Sequence, residues 1–284
     1  MFRFSNLLKA VSVAALATGL SSTAMAQRIS DFSLIDHFGK FHQVSRYSDH
    51  DALVLFAYDP ESEVVEDALR DFNRVMERFE EEQIAFLMIE STGITDKAQV
   101  AKAAAEPEIE IPILIDETQT VSELLSVSRA AQVIVIDPAA REIVYNGSLN
   151  DRFTEGSDRR RARDHYLREV LESVVEGSEV SLASQPSSGE AIVYAAREQG
   201  ATAGIDYASD IVPIVENRCV SCHQDGGIAP FAMNSHQMLQ GWSPMIREVL
   251  LTKRMPPAQI DPDFVHLYQD QSHITIEETR TLLH

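Results

Sequence analysis

The chain is short of cysteine. It has two in 284 residues, Cys219 and Cys222, with His223 directly after the second. A disulfide framework is thereby excluded, and one bridge between them would close too short a loop to add much stability. Basic side chains are also scarce: Lys and Arg number 24 against 44 Asp and Glu, for a formal charge of −20. Such a surface repels phosphate backbones, so no nucleic-acid partner is expected, while a cationic protein patch suits it. Beyond the first 26 residues there is no long apolar run, so no membrane span is expected there.

What is present begins with an export signal. "MFRFSNLLK" carries Arg3 and Lys9, "AVSVAALATGL" is apolar but too short to span a bilayer, and "AMA" precedes Gln27. Residues 1–26 therefore read as a secretory signal peptide rather than an uncleaved anchor. The mature protein is expected to be periplasmic or secreted. Loss of two basic residues and no acidic one takes the charge from −20 to −22.

The remaining length suits two domains. Residues 27–182 alternate strands and helices. "ALVLFAY" (52–58) and "IAFLMIE" (84–90) read as buried strands. Between them, residues 61–83 read as a helix, with Val65, Leu69, Phe72, Val75, Met76 and Phe79 at three- and four-residue steps. A helix over 95–105, "IPILID" (111–116), a short helix in "ETQTVSELLSV", strands at 131–137 and 142–149 and a helix over 159–176 complete it. This order implies an α/β domain whose sheet is mostly parallel and covered by helices. Residues 183–204, rich in Ser, Ala and Gly, read as a linker with a short strand at "AIVY". Residues 205–284 read as a smaller, mostly α domain. "DIVPIVENRC" and "SPMIREVLLTKR" have helical spacing, and Thr275 with Glu278 forms a capping-box pattern.

"DFSLIDHFGKFHQVSRY", "IPILIDETQTVSELLSV" and "VIVIDPAAREIVYNGSLNDRF" resemble the redoxins related to alkyl hydroperoxide reductase and thiol-specific antioxidant proteins. That resemblance implies a thioredoxin fold, a mixed sheet covered by helices, over about residues 29–180. It also implies a reactive cysteine after "ALVLFAY" and a proline before "QVIVID". The chain has "DPESEVV" and Ala130-Ala131 at those places. Peroxide and disulfide exchange need a thiolate, so this domain is expected to have lost its chemistry.

C-x-x-C-H is the attachment sequence of c-type haem. Two sulfurs three residues apart on a helical turn share a face, and the next residue can turn its imidazole to iron. Cys219 and Cys222 are thus the expected covalent haem c ligands and His223 the axial iron ligand. A dithiol pair fits poorly, because the motif follows the thioredoxin-like domain. A zinc site would need ligands from His236, His266 or His273. The sixth iron ligand is sought among Met233, Met238, Met245 and Met255. Met245 has core spacing, and Met255 is preferred because Pro256-Pro257 stop the helix and stiffen the chain beside it.

"DIVPIVENRCVSCHQDGGIAPF" with "GWSPMIREVLLTKRMPPA" is similar to a cytochrome c-like module of exported bacterial multidomain proteins. In these a redoxin often precedes the haem module and a copper type II ascorbate-dependent monooxygenase-like domain follows. The resemblance implies single-electron transfer, to a redox partner protein or to a following copper oxygenase-like domain. The competing readings are a thioredoxin-like thiol oxidoreductase or peroxidase, and a haem-based ligand-binding protein. The chain stops inside the helical pattern "TIEETRTLLH", which suggests the front part of a longer oxidoreductase. "DRRRARDHYLRE" reads as a solvated helix face, Trp242 as core or haem neighbour, and His37, His42, His50 and His165 as surface residues.

Overall fold

A computed structural model describes residues 27–105, 109–182, 184–194, 204–257, 262–268 and 273–284. The expected signal peptide, residues 1–26, lies outside the described residues. Eight strands form one sheet: β1 (Gln27–Arg28), β2 (Ser33–Asp36), β3 (Phe41–Gln43), β4 (Ala52–Tyr58), β5 (Ile84–Glu90), β6 (Ile113–Ile115), β7 (Gln132–Asp137) and β8 (Glu142–Ser148). Their spatial order is β1-β8-β7-β4-β5-β6-β2-β3. Among the described strands β4–β5 and β5–β6 are parallel, and the other five pairings are antiparallel. The sheet is thus mixed, as the redoxin resemblance implies, and not mostly parallel as the alternation of strands and helices alone suggests. The reason is connection length: β2–β3 and β7–β8 are joined by short turns, which only antiparallel strands can use. Asp137 holds the second turn, its carboxylate accepting from the N–H groups of Ala139 and Ala140 at 2.9 and 2.8 Å.

β4 is buried along its whole length and organises two cores. Its even residues, Val54, Phe56 and Tyr58, pack with α1 (Glu63–Arg78) and α4 (Tyr166–Val175) through Val65, Phe72, Leu167 and Val170. Its odd residues, Leu53, Leu55 and Ala57, pack with Leu87, Ile89 and Ile134 on the other face. This is the two-residue alternation of a strand covered on both sides. The smaller helices of this domain are α2 (Lys97–Ala105) and α3 (Thr120–Leu124).

Helix α4 starts at Tyr166, later than the expected 159. Side chains compete for the backbone before it. Asp151 takes the N–H of Arg163 at 2.9 Å and pairs with Arg159 at 3.1 Å, and Glu169 takes the N–H of His165 at 3.2 Å. Residues 158–165 of the basic stretch therefore lie outside the helix.

The C-terminal part contains α5 (Val212–Arg218), α6 (His236–Leu251) and α7 (Ile276–Leu283). Helix α6 begins seven residues before the expected Ser243 and carries Pro244 inside it. Pro244 has no N–H for the carbonyl of Gln240, and the Ser243 hydroxyl donates to that carbonyl instead at 2.9 Å. Helix α7 has the expected capping box: the Glu278 N–H donates to Thr275 Oγ1 at 3.1 Å, and the Thr275 N–H to Glu278 at 2.8 Å. Leu250, Leu251, Ile274 and Leu283 are buried in the second core of the sheet. The C-terminal helices therefore complete the first domain's unprotected face. Among the described residues no helix is long and apolar enough to cross a membrane.

Candidate functional site

Two places are candidates, and the first is the N-terminus of α1. The chain turns there through residues 59–62, with the Glu61 N–H donating to the Asp59 carboxylate at 2.9 Å and the Ser62 N–H to the Asp59 carbonyl at 3.2 Å. Ser62 caps the helix, its Oγ accepting from the Val65 N–H at 3.1 Å. Opposite lies the loop before β7. Ala131 has φ 58°, and its N–H donates to the Ala57 carbonyl at 2.9 Å.

Residues 184–194, part of the expected linker, lie across this place. The Ala130 N–H donates to the Glu190 carbonyl at 2.9 Å, and Ser187 Oγ to the Ala130 carbonyl at 3.1 Å. The Ser62 hydroxyl donates to the Glu190 carboxylate. Isolated bridges pair Arg129 with Ala191 and Thr154 with Ser187, so only Ala191 of the expected "AIVY" strand pairs. Gly189 is required here, since a Cβ would lie 2.0 Å from the Ala130 carbonyl oxygen. Residues 27–182 contain no cysteine. The place thus has no thiol, and its own chain lies over it.

Two buried carboxyls lie between its two halves in sequence, at the ends of β5 and β6. Burial pushes both Glu90 and Asp116 above the usual carboxyl range. Glu90 accepts from the N–H groups of Thr92 and Ile94 at 2.7 and 2.9 Å, and Asp116 from that of Ser122 at 2.7 Å. Each one holds a loop. His37 and His42, expected at the surface, are buried. His42 bridges Asp36, at 2.8 Å from Nε2, and the Tyr47 hydroxyl, at 2.5 Å from Nδ1. His37 Nδ1 accepts from the Ile113 N–H at 3.0 Å, and burial lowers its pKa. Both were invisible as core positions because their partners lie on other strands or turns.

The second place is the C-x-x-C-H segment. Asp206 starts its helix by accepting from the N–H groups of Ala208 and Ser209 at 3.0 and 2.9 Å. Cys219 ends α5. Its carbonyl accepts from the N–H groups of both Cys222 and His223, at 3.1 and 2.9 Å, so the three side chains share one tight turn. Both thiols are free and half-buried. The Cys219 thiol is pushed up to about 11 by burial, with the Glu278 and Cys222 charges adding to it. It is therefore a poor nucleophile.

His223 is 9% exposed. Its Nδ1 lies 3.0 Å from the Phe231 carbonyl. A carbonyl only accepts, so Nδ1 carries the proton and the lone pair is on Nε2. The intervening loop folds back on glycine: a Cβ at Gly227 would lie 2.4 Å from the Cys222 carbonyl oxygen. Phe231 packs against the histidine ring at 4.8 Å and stacks on Trp242 at 4.5 Å and 14°.

Met255, the expected sixth ligand, is 39% exposed and lines a cavity of about 800 Å³ on which neither cysteine nor His223 borders. Cys219, Cys222 and His223 are brought together on one turn. Met245 is 48% exposed rather than core, because α6 turns Ile246, Leu250 and Leu251 to the sheet instead. The Met233 N–H donates to the His223 carbonyl at 2.8 Å. Among the described residues no three of His, Cys, Asp and Glu gather as a metal-binding cluster. His236 instead packs on Tyr207 at 4.3 Å, and His273 lines the cavity.

One feature of composition and burial fits a bulky apolar group here. From residue 204 to 249 the only buried apolar side chain is Val215. Ile205, Ile228, Met238 and Met245 are exposed. Such a helical segment lacks a core of its own. The free thiols, the available Nε2 and this missing core fit a covalently held porphyrin.

Residues 25–146 match the AhpC/TSA family. The first domain is a thioredoxin-like redoxin domain. Its fold is shared with a hypothetical protein from Sinorhizobium meliloti 1021, at 21% identity, TM-score 0.51, covering 60% of this chain and 94% of that one. An uncharacterised conserved protein from Geobacillus kaustophilus shares it at 20% identity, TM-score 0.53, covering 61% and 93%. At these identities the likeness concerns the fold alone. No curated protein matches the chain. The family match ends well before Cys219, so the redoxin domain and the C-x-x-C-H segment stand on separate grounds.

Proposed function

We propose that this is an exported c-type cytochrome that transfers single electrons, with the redoxin domain serving as its scaffold. The observation that carries the reading is His223, fixed through Nδ1 to Phe231 on one turn with two free thiols, inside a segment with no apolar core. Cys219 and Cys222 would hold the porphyrin as thioethers and His223 Nε2 would hold its iron. Bound haem supplies a one-electron ferric–ferrous couple. The Phe231 carbonyl keeps the imidazole in the tautomer that can bind iron, and the Phe231–Trp242 stack shields its ring from water. Met255 is the proposed sixth ligand on the grounds of its Pro-Pro neighbours. The electron partner is a separate redox protein or a following copper oxygenase-like domain, outside the cytoplasm.

The family match favours a second reading, a thioredoxin-like thiol oxidoreductase or peroxidase. Against it stands the chemistry: the redoxin domain has no thiol, and Cys219, in the other part, is held protonated. One experiment separates the two. The chain is expressed in a host that exports it and attaches haem. A red protein whose haem survives acid-acetone extraction, and loses it on Cys219→Ser with Cys222→Ser, supports the cytochrome. A colourless protein with peroxide or disulfide turnover that is lost in the same double variant supports the thiol enzyme. Carbon monoxide binding to the reduced protein as isolated would instead favour a haem-based ligand sensor.

A further inference from the structure

Asp36, His42 and Tyr47 form a line of three polar groups beside the β2–β3 hairpin, and the proposed electron transfer through haem does not use them. Asp36 and His42 are buried. Asp36 Oδ1 accepts from the N–H groups of Phe38 and Lys40 at 2.9 and 2.8 Å, and Oδ2 faces His42 Nε2 at 2.8 Å. A carboxylate that holds two backbone N–H groups is an acceptor, so Nε2 carries the imidazole proton. The lone pair of neutral His42 is then on Nδ1. The Tyr47 hydroxyl, 2.5 Å from Nδ1, donates to it. Carboxylate, imidazole and phenol thus form a directed chain.

Other phenols of the protein meet weaker partners. Tyr145 donates to the Ser148 carbonyl at 2.7 Å and Tyr194 to that of Val127. A carbonyl accepts a hydrogen bond without taking the proton, whereas an imidazole does both. Burial, with the Asp36 charge adding to it, raises the Tyr47 phenol above its ordinary value, so its proton is in place at neutral pH. Tyr47 itself is only half-buried. A small molecule in solution therefore reaches the residue, while its hydroxyl stands against a buried base. On its other side the His50 ring meets the Tyr47 ring edge-on at 5.4 Å, and His50 Nδ1 lies 3.0 Å from Asp49.

We propose that Tyr47 is a one-electron donor with His42 as the internal acceptor of its proton. The oxidant is an oxygen-centred radical of the peroxyl class, arriving from solution. Such a radical is small and neutral, which suits an acidic chain that repels anionic oxidants. One electron leaves Tyr47 for the radical, which becomes a hydroperoxide on taking a proton from water. The phenol O–H bond breaks, its proton goes to His42 Nδ1, and Tyr47 is left as a neutral phenoxyl radical. Asp36 stabilises the imidazolium that forms. The inference does not rest on the haem reading.

Two oxidants test it on the full chain, photo-oxidised ruthenium tris-bipyridine and peroxyl radicals from a thermal azo initiator, both followed by freeze-quench electron paramagnetic resonance. Each should give a phenoxyl signal that Tyr47→Phe removes. Asp36→Asn makes a second test. Its amide oxygen keeps the Phe38 and Lys40 N–H groups, and its NH2 donates to Nε2, which moves the imidazole proton to Nδ1. The ring stays and the base is lost. Oxidation of Tyr47 should then slow about tenfold or more, the ordinary worth of a positioned base. It should also gain a pH dependence that the parent lacks, because the proton must leave to solvent. A role confined to holding the hairpin would change stability and leave the oxidation rate and its pH profile as they are. The proposal is overturned by no phenoxyl signal in the parent with either oxidant, by an equal signal in Tyr47→Phe, or by an Asp36→Asn rate equal to the parent's.

Discussion

Asp116 shows what a single buried group does to the pH dependence of the whole. Burial raises its folded pKa above the ordinary carboxyl value of about 4. Folding therefore favours the protonated form, and stability is lost as pH rises from that ordinary value through the folded one. Asp116→Asn keeps an oxygen for the Ser122 N–H and removes the charge. Urea unfolding at several pH values should show a smaller loss of stability on going from mild acid to neutral pH; an unchanged slope would show that Asp116 is not the group responsible. His37 works the opposite way. Its burial lowers the folded pKa and its neutral Nδ1 accepts a strand N–H, so its contribution is complete above about 6.5 and is lost as pH falls through that value to the folded one. At His223 the expected outcome is spectroscopic. In the proposed cytochrome, Met255→Ala should lower the reduction potential and admit cyanide, and an unchanged potential would show that Met255 is not the sixth ligand. The cysteine–histidine turn was legible residue by residue because its logic is local. The burial of His37 and His42 was not, because it is decided by Asp36, Tyr47 and the β6 backbone, which sequence spacing does not bring near.

At the scale of elements, β4 and β5 could be read to the residue, and α1 was placed correctly but read five residues too long at its end, which is at Arg78. An unbroken apolar run between aspartates has few other uses, and Val65, Leu69 and Phe72 mark one helical face. The segment 184–194 could not be read. Ser, Gly and Ala are what flexible linkers contain, and this segment's order comes from backbone partners more than thirty residues away in Ala130, Phe153 and Ser148. Two substitutions measure it. Gly189→Ala forces a Cβ into the Ala130 carbonyl and should cost about 1–3 kcal/mol by the usual penalty for overpacking. Ser62→Ala removes both the α1 cap and the Glu190 contact and should cost about 1–2 kcal/mol. Both are read from denaturant midpoints. A Gly189→Ala midpoint equal to that of the parent would mean the segment is not held there. Installing a cysteine at the α1 turn should likewise yield a thiol that reacts slowly with an aromatic disulfide reagent, and faster once Glu190→Ala loosens the cover.

At the scale of the molecule, the boundary near residue 183 that composition suggests is not a boundary of packing. Leu250, Leu251, Ile274 and Leu283 are apolar residues whose helical spacing is visible in the sequence, but nothing in that spacing says which surface they meet. They belong to the same buried cluster as Leu34, Leu53 and Ile136 of the redoxin sheet. A fragment ending at residue 204 should therefore bind a hydrophobic dye and self-associate where the full chain does not, because it uncovers one face of the sheet. A monomeric, dye-free fragment would show that the face is closed without those helices. The same covering restricts how such a chain can be recombined. Swapping the C-terminal part for that of a distant relative, by crossing over within the serine-rich stretch, would transplant α6 and α7 onto a sheet they were not shaped for. Viable hybrids are expected to be those that carry the matching sheet residues along, so that sequence exchange between such genes proceeds by whole chains rather than by halves.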